Sequence, residues 1–147
     1  PAPLVPLTGQ VDRILVEKSA RRLTVFRDGV ALRSYRVALG SAPLGDKERQ
    51  GDGRTPEGVF RIDRRNGASA YHLSLGLDYP QPEDVARAAA GGYAPGGDIF
   101  IHGQPNALPG GVTIPYDWTA GCIAVSDAEI EELWRVVPIG TPVEVRP

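Results

Sequence analysis

Apolar and polar positions alternate in short stretches along the front of the chain. Ile14-Leu15-Val16 is an apolar triplet between charged residues, and Arg22-Leu23-Thr24-Val25-Phe26-Arg27 alternates. A period of two puts successive side chains on opposite faces, which predicts a strand in each place. Asp28-Gly29 follows and predicts a two-residue hairpin, because a type I′ turn needs φ > 0 at both central positions. Val30–Leu39 reads as a third strand. Its larger apolar residues, Leu32, Tyr35, Val37 and Leu39, depart from strict alternation and leave room for a bulge. Further strands are expected at Val59–Ile62, at Tyr71–Leu77 with His72 inside it, at Ile99–Ile101 and at Pro142–Val145.

Helical periodicity occurs in two places. Pro82, two acidic residues and a closing Gly91-Gly92 predict a short helix over Glu83–Ala90. Ser126-Asp127-Ala128-Glu129 is a capping box, and Ile130, Leu133, Trp134 and Val137 then follow the spacing of one buried face. Asp127, Glu129, Glu131 and Glu132 sit near the positive end of the helix dipole and read as a solvated face. Residues 40–58 and 104–120 are rich in glycine, proline and charge and read as long surface loops. The expected architecture is mainly β, with one or two packed helices, in a single domain over residues 11–147 behind a Pro-rich lead-in at 1–10.

Composition narrows the picture. The 147 residues include 18 glycines and 14 prolines, which disfavours a helical bundle. No apolar run approaches the roughly 18 residues that a membrane span requires. A net charge of −2, with arginines scattered among acids, leaves no basic stripe and so no footprint for nucleic acid. One cysteine, Cys122, rules out an internal disulfide. The absence of methionine means a front that was processed or trimmed, which suits the stretch after a removed signal peptide and equally an artificial boundary.

Candidate chemistry is confined to few residues. His102 closes an apolar strand, and Cys122 lies 20 residues later in Thr119-Ala120-Gly121-Cys122-Ile123. Both stand where a Gly-rich loop meets an apolar strand. A histidine beside a cysteine is the minimum kit for a thiolate nucleophile: the imidazole takes the thiol proton, and the ion pair lowers the thiol pKa. Gly121 lets the backbone approach closely, so the Gly121 and Cys122 amides are candidates for an oxyanion site. On residues alone, a small buried Cys122 and a structural His102 stay open. Two histidines and one cysteine without close spacing do not make a metal site.

These residues resemble a known family. Ile101-His102-Gly103 followed by Thr119-Ala120-Gly121-Cys122-Ile123 is similar to the signature of the L,D-transpeptidase catalytic domain, the YkuD domain. Arg54-Thr55-Pro56-Glu57-Gly58-Val59-Phe60, Leu77-Asp78-Tyr79-Pro80 and Gly140-Thr141-Pro142-Val143 resemble further segments of that family, in its order, over nearly the whole chain. The resemblance implies a mixed β sandwich or barrel-like fold and cysteine acyl transfer on peptidoglycan stem peptides through a Cys122 thioester. It implies His102 as base, the Gly103 carbonyl orienting the imidazole, Gly121 in the oxyanion site, no cofactor, and a periplasmic or secreted location.

Two departures stand out. Ala120 replaces the family's usual histidine, and Ala124 stands where arginine or asparagine is common. With Tyr116-Asp117-Trp118 they resemble a subgroup related to the enzyme that detaches murein-linked lipoprotein. Arg54 is a candidate to replace the lost carboxylate contact, or an exposed loop arginine. Tyr116, Trp118 and Thr119 are candidates to wall the substrate groove. The rival readings are a hydrolase of the same fold, either an L,D-carboxypeptidase or a lipoprotein-releasing amidase, and a catalytically silent cell-wall binding module.

Overall fold

Eight strands form one sheet, described in a computed structural model over residues 5–147; residues 1–4 of the expected lead-in lie outside the described residues. The strands are β1 (Arg13–Glu17), β2 (Arg22–Arg27), β3 (Val30–Arg36), β4 (Gly58–Asn66), β5 (Ser74–Leu77), β6 (Phe100–His102), β7 (Ile123–Ala124) and β8 (Pro142–Arg146). Helices α1 (Pro82–Gly91) and α2 (Asp127–Val136) complete the fold. The sheet order is β3-β2-β1-β8-β4-β5-β6-β7. The last strand therefore lies in the middle, parallel to β1 and antiparallel to β4. The chain after β3 then returns to the opposite edge, where Ala38 and Ala124 exchange two backbone hydrogen bonds of 2.9 Å. That bridge joins one end of the sheet to the other, in keeping with the barrel-like expectation, and it covers an edge otherwise open to pairing.

The local expectations have clear physical outcomes. Asp28 and Gly29 both take positive φ, at 51° and 78°, as the hairpin requires. The β2–β3 ladder slips between Val25 and Phe26, which face Arg33 and Ala31, so Leu32 is the extra residue of a bulge. The third strand ends at Arg36 rather than Leu39, because Val37 N donates to Arg21 O and Ala38 turns to β7. The strand expected from Tyr71 begins only at Ser74. His72 has φ 71°, which breaks the extended backbone, and it lies in a turn.

Helix α2 carries the predicted capping box, with Glu129 N to Ser126 Oγ at 3.2 Å and Ser126 N to Glu129 Oε1 at 3.0 Å. Ile130, Leu133 and Val136 enter the core beside Ile101, Ile123 and Leu75. One acidic residue of this helix departs from the solvated reading. Glu132 is buried and accepts from Tyr35 Oη at 2.5 Å, from Arg33 Nη1 at 2.7 Å and from Leu7 N at 3.3 Å. Burial raises its pKa, but the bonds from Tyr35, Arg33 and Leu7 outweigh burial and hold the carboxyl below its ordinary range.

The loop over residues 40–58 is not a free surface loop. The chain's two lysines are both buried against it. Lys18 Nζ donates to Gly45 O at 2.9 Å and Thr55 O at 2.8 Å and meets Glu57 at 3.1 Å. Lys47 Nζ meets Asp52 Oδ1 at 2.8 Å and Arg49 O at 3.2 Å. Buried ammonium groups persist only with such partners, so the loop is held as a fixed wall.

Candidate active site

Strand pairing, rather than chain proximity, brings the two candidate residues together. His102 ends β6, where it pairs with Ser74 of β5 and Ala124 of β7. Cys122 immediately precedes β7, so its sulfur lies against the start of β6. Phe100 N donates to Cys122 Sγ at 3.4 Å, and the thiol donates to Asp98 O at 3.3 Å. The side chains of Tyr71, Asp98, Phe100, His102, Trp118 and Cys122 share a groove of about 660 Å³.

The imidazole is oriented by its own chain. His102 Nδ1 lies 2.7 Å from Gly103 O. A carbonyl only accepts, so Nδ1 carries the proton and Nε2 is left as the basic edge. Around this ring stands an aromatic enclosure. Tyr71 stacks on His102 at 4.4 Å between centroids and 20° between planes, and Trp118 lies 5.6 Å from His102 and 5.7 Å from Tyr71. His102 itself is 2% exposed.

Glycine and threonine shape the turn before the sulfur. Gly121 has φ 140°, and a Cβ there would lie 2.7 Å from Arg54 O. Only glycine suits such a position. Thr119 Oγ1 accepts from Gly121 N at 3.1 Å and donates to Cys122 O at 2.7 Å. This corrects the oxyanion expectation: the Gly121 amide is already occupied by Thr119, and only the Cys122 amide remains of the proposed pair.

Burial acts on both groups. Burial pushes the His102 imidazole below its ordinary value, with the Gly103 carbonyl acting the other way. Burial likewise pushes the Cys122 thiol up, against the Phe100 N–H. Burial thus shifts each group toward its neutral form. The donation from the sulfur to Asp98 O uses the thiol proton, while the Phe100 N–H works the other way.

The other candidates separate. Trp118 and Thr119 line the groove, as does Ala120. Arg54 does not: its guanidinium reaches Asp46 O at 3.4 Å, and its contribution is the backbone carbonyl against Gly121. Tyr116 is 66% exposed and borders a second hollow, of about 760 Å³, on the other side of the 104–120 loop. Ala124 lines that second hollow as well. Asp117 supports the loop, accepting from Arg21 Nη2 at 2.8 Å and Leu39 N at 2.9 Å. His72 pairs with Glu131 at 3.2 Å, outside the groove.

Among the groove residues that escaped the sequence reading are Lys47, Tyr71, Asp98 and Phe100. Phe100 was within reach, since it lies two positions before His102 on a strand and so shares its face. Lys47 and Asp98 sit on loops and Tyr71 on a turn, whose placement depends on distant contacts. Among the described residues no cluster of three or more His, Cys, Asp or Glu is placed to hold a metal ion, and no helix is long and apolar enough to cross a membrane.

Known proteins are similar to this chain. The family model described as the L,D-transpeptidase catalytic domain, YkuD, matches residues 11–145. YafK of Escherichia coli K12, a provisionally named L,D-transpeptidase, is 29% identical over 108 residues, covering 72% of this chain and 37% of its own. The helical cell shape determining protein Pgp2 of Campylobacter jejuni superposes with a TM-score of 0.71 at 26% identity, over 94% of this chain and 48% of Pgp2. An L,D-transpeptidase from Xylanimonas cellulosilytica shares the fold with a TM-score of 0.63 at 19% identity, over 96% of this chain and 63% of that one. The chain thus spans about two-fifths of the curated relative's length and about half of Pgp2.

Proposed function

Because the chain belongs to the L,D-transpeptidase catalytic domain family, we propose that residues 11–147 carry out cysteine-dependent acyl transfer on peptidoglycan stem peptides in the cell envelope. One observation carries this reading: a histidine with Nδ1 committed to a carbonyl, leaving Nε2 as a base, shares a groove with the chain's one thiol.

The residues divide the work as follows. Cys122 Sγ leaves Asp98 O, gives its proton to His102 Nε2 and attacks the stem-peptide carbonyl. The Cys122 amide faces the developing oxyanion. When the tetrahedral adduct collapses, the C–N bond breaks, the imidazolium returns its proton to the departing amine, and a thioester remains on Cys122. An acceptor amine then attacks the thioester, His102 takes a proton from it, and the free thiol re-forms as the new amide leaves. A neutral resting pair suits this sequence, since the proton moves only when substrate is present. Trp118 and Tyr71 wall the groove and keep water from the thioester.

Incubating the chain with disaccharide-tetrapeptides tests the reading. The expected result is a mass adduct on Cys122 and cross-linked dimers, both lost in Cys122→Ala. Turnover that survives Cys122→Ala overturns it. Trimmed stems, or lipoprotein freed from sacculi, would assign the acyl group to water instead of an amine.

A further inference from the structure

Tyr71 holds the base from two directions. Its backbone carbonyl accepts from Gly103 N at 3.0 Å, and so fixes the residue whose own carbonyl orients His102. Its ring covers the imidazole at 4.4 Å and 20°. The turn that presents it is braced at several points. Tyr71 N donates to Ser69 Oγ at 2.9 Å, Asn106 Nδ2 to Ser69 O at 2.8 Å, and His72 N to Asn106 Oδ1 at 2.9 Å. Asn106 follows His102 by four residues, so the segment after the base and the turn bearing Tyr71 move as one unit. The phenol oxygen makes no hydrogen bond among the described residues, while the ring is 38% exposed and lines the groove. A side chain half open to solvent yet stacked flat on a buried histidine has its ring, rather than its hydroxyl, as the working part.

We propose that Tyr71 is a positioning residue for His102: its ring is the removable cover that keeps one face of the imidazole dry and its Nε2 edge aimed along the groove. The proposal rests on the reading of His102 as base for its kinetic consequence, but not for its physical one. Besides Tyr71 itself, the titratable groups that share the groove are Cys122 before β7, Asp98 before β6 and Lys47 on the 40–58 loop, with Asp127 at the start of α2 beside Gly103. Burial lowers the imidazole's pKa against the hydrogen bond to the Gly103 carbonyl. Taking the ring away admits water to the imidazole face, so protonation becomes easier and the titration midpoint of His102 rises toward its ordinary value.

The test is a proton NMR titration of His102 in a His72→Gln background, which leaves one histidine to observe, run beside kcat/KM against pH. Tyr71→Phe keeps the ring over the imidazole and with it the wild-type midpoint. Tyr71→Ala moves the midpoint and the acid limb of kcat/KM to higher pH, and lowers kcat about tenfold or more with KM little changed, since the base is no longer held in line. Tyr71→Gln, which fills the turn with a polar side chain that leaves the imidazole face wet, also raises the midpoint and serves if the alanine variant does not fold. An unmoved midpoint in Tyr71→Ala or Tyr71→Gln overturns the proposal. So does a Tyr71→Phe variant as impaired as Tyr71→Ala, because the hydroxyl would then be the active part. The titration needs no substrate, so a protein inert toward stem peptides whose midpoint still shifts would sink the proposed function and leave the aromatic cover standing.

Discussion

His102 Nδ1 lies 2.7 Å from Gly103 O, so the base is aimed by the residue that follows it. Gly103 has no room for a side chain. A Cβ would meet Asp127 Oδ1 at 2.6 Å, Ile130 Cγ2 at 3.0 Å and Tyr71 O at 3.1 Å. Gly103→Ala is therefore expected to push β6 away from α2, costing about 1–3 kcal/mol by overpacking, and to lower turnover about a hundredfold by misaiming the imidazole. Denaturant melts and steady-state rates check the two parts separately.

Thiol alkylation reads the charge state of the resting site. With the Cys122 thiol pushed up by burial and His102 pushed down, iodoacetamide should label the folded protein slowly at neutral pH. The rate should rise only above the ordinary thiol range of about 8.5. Fast labelling at pH 7 that depends on His102 would demonstrate an ion pair and refute the neutral assignment.

Stability should carry the same signature. Because the folded-state pKa of His102 lies below its unfolded value, the unfolded chain binds more protons once the pH falls below about 6.5. Stability is then lost on acidification between that value and the lower folded-state pKa. His102→Gln should flatten this slope in melts taken from pH 7.5 to 5. The lowered carboxyls of Glu132 and Asp52 lose their contribution only further down, as the pH falls below the ordinary carboxylate range.

The Glu132 cluster predicts a large stability effect with little effect on catalysis. Glu132→Ala leaves Arg33, whose side chain is 14% exposed, without its carboxylate partner. Breaking a buried pair from one side costs about 3–5 kcal/mol. Glu132→Gln keeps an acceptor for Tyr35 and should cost less, about 1–3 kcal/mol. Below the melting range, turnover per folded molecule should match wild type in both.

Arg54 and Gly121 make an opposed pair. Since the Arg54 side chain lies outside the groove, Arg54→Ala should change kcat and KM by less than about twofold. Gly121→Ala, at φ 140° and 2.7 Å from Arg54 O, should abolish turnover and lower the melting temperature. A large KM effect in Arg54→Ala would restore that arginine as a substrate contact.

What the chain determined by itself is whatever depends on neighbours a few residues away. The Asp28-Gly29 turn, the Ser126–Glu129 capping box, the apolar strand ending at His102 and the Gly-Cys step at 121–122 all have local causes, and all were legible. Tertiary structure decided the rest, because register and desolvation belong to residues far apart in sequence. The insertion of β8 between β1 and β4, the burial of Glu132 by Tyr35 and Arg33, and the approach of Tyr71 to His102 leave no periodic trace in the chain. The same holds inside the site. That a histidine and a cysteine meet was readable from the order of motifs. That burial shifts both toward their neutral forms, with the Gly121 amide already bonded to Thr119, follows from desolvation and a hydrogen bond that exist only once the two strands are side by side.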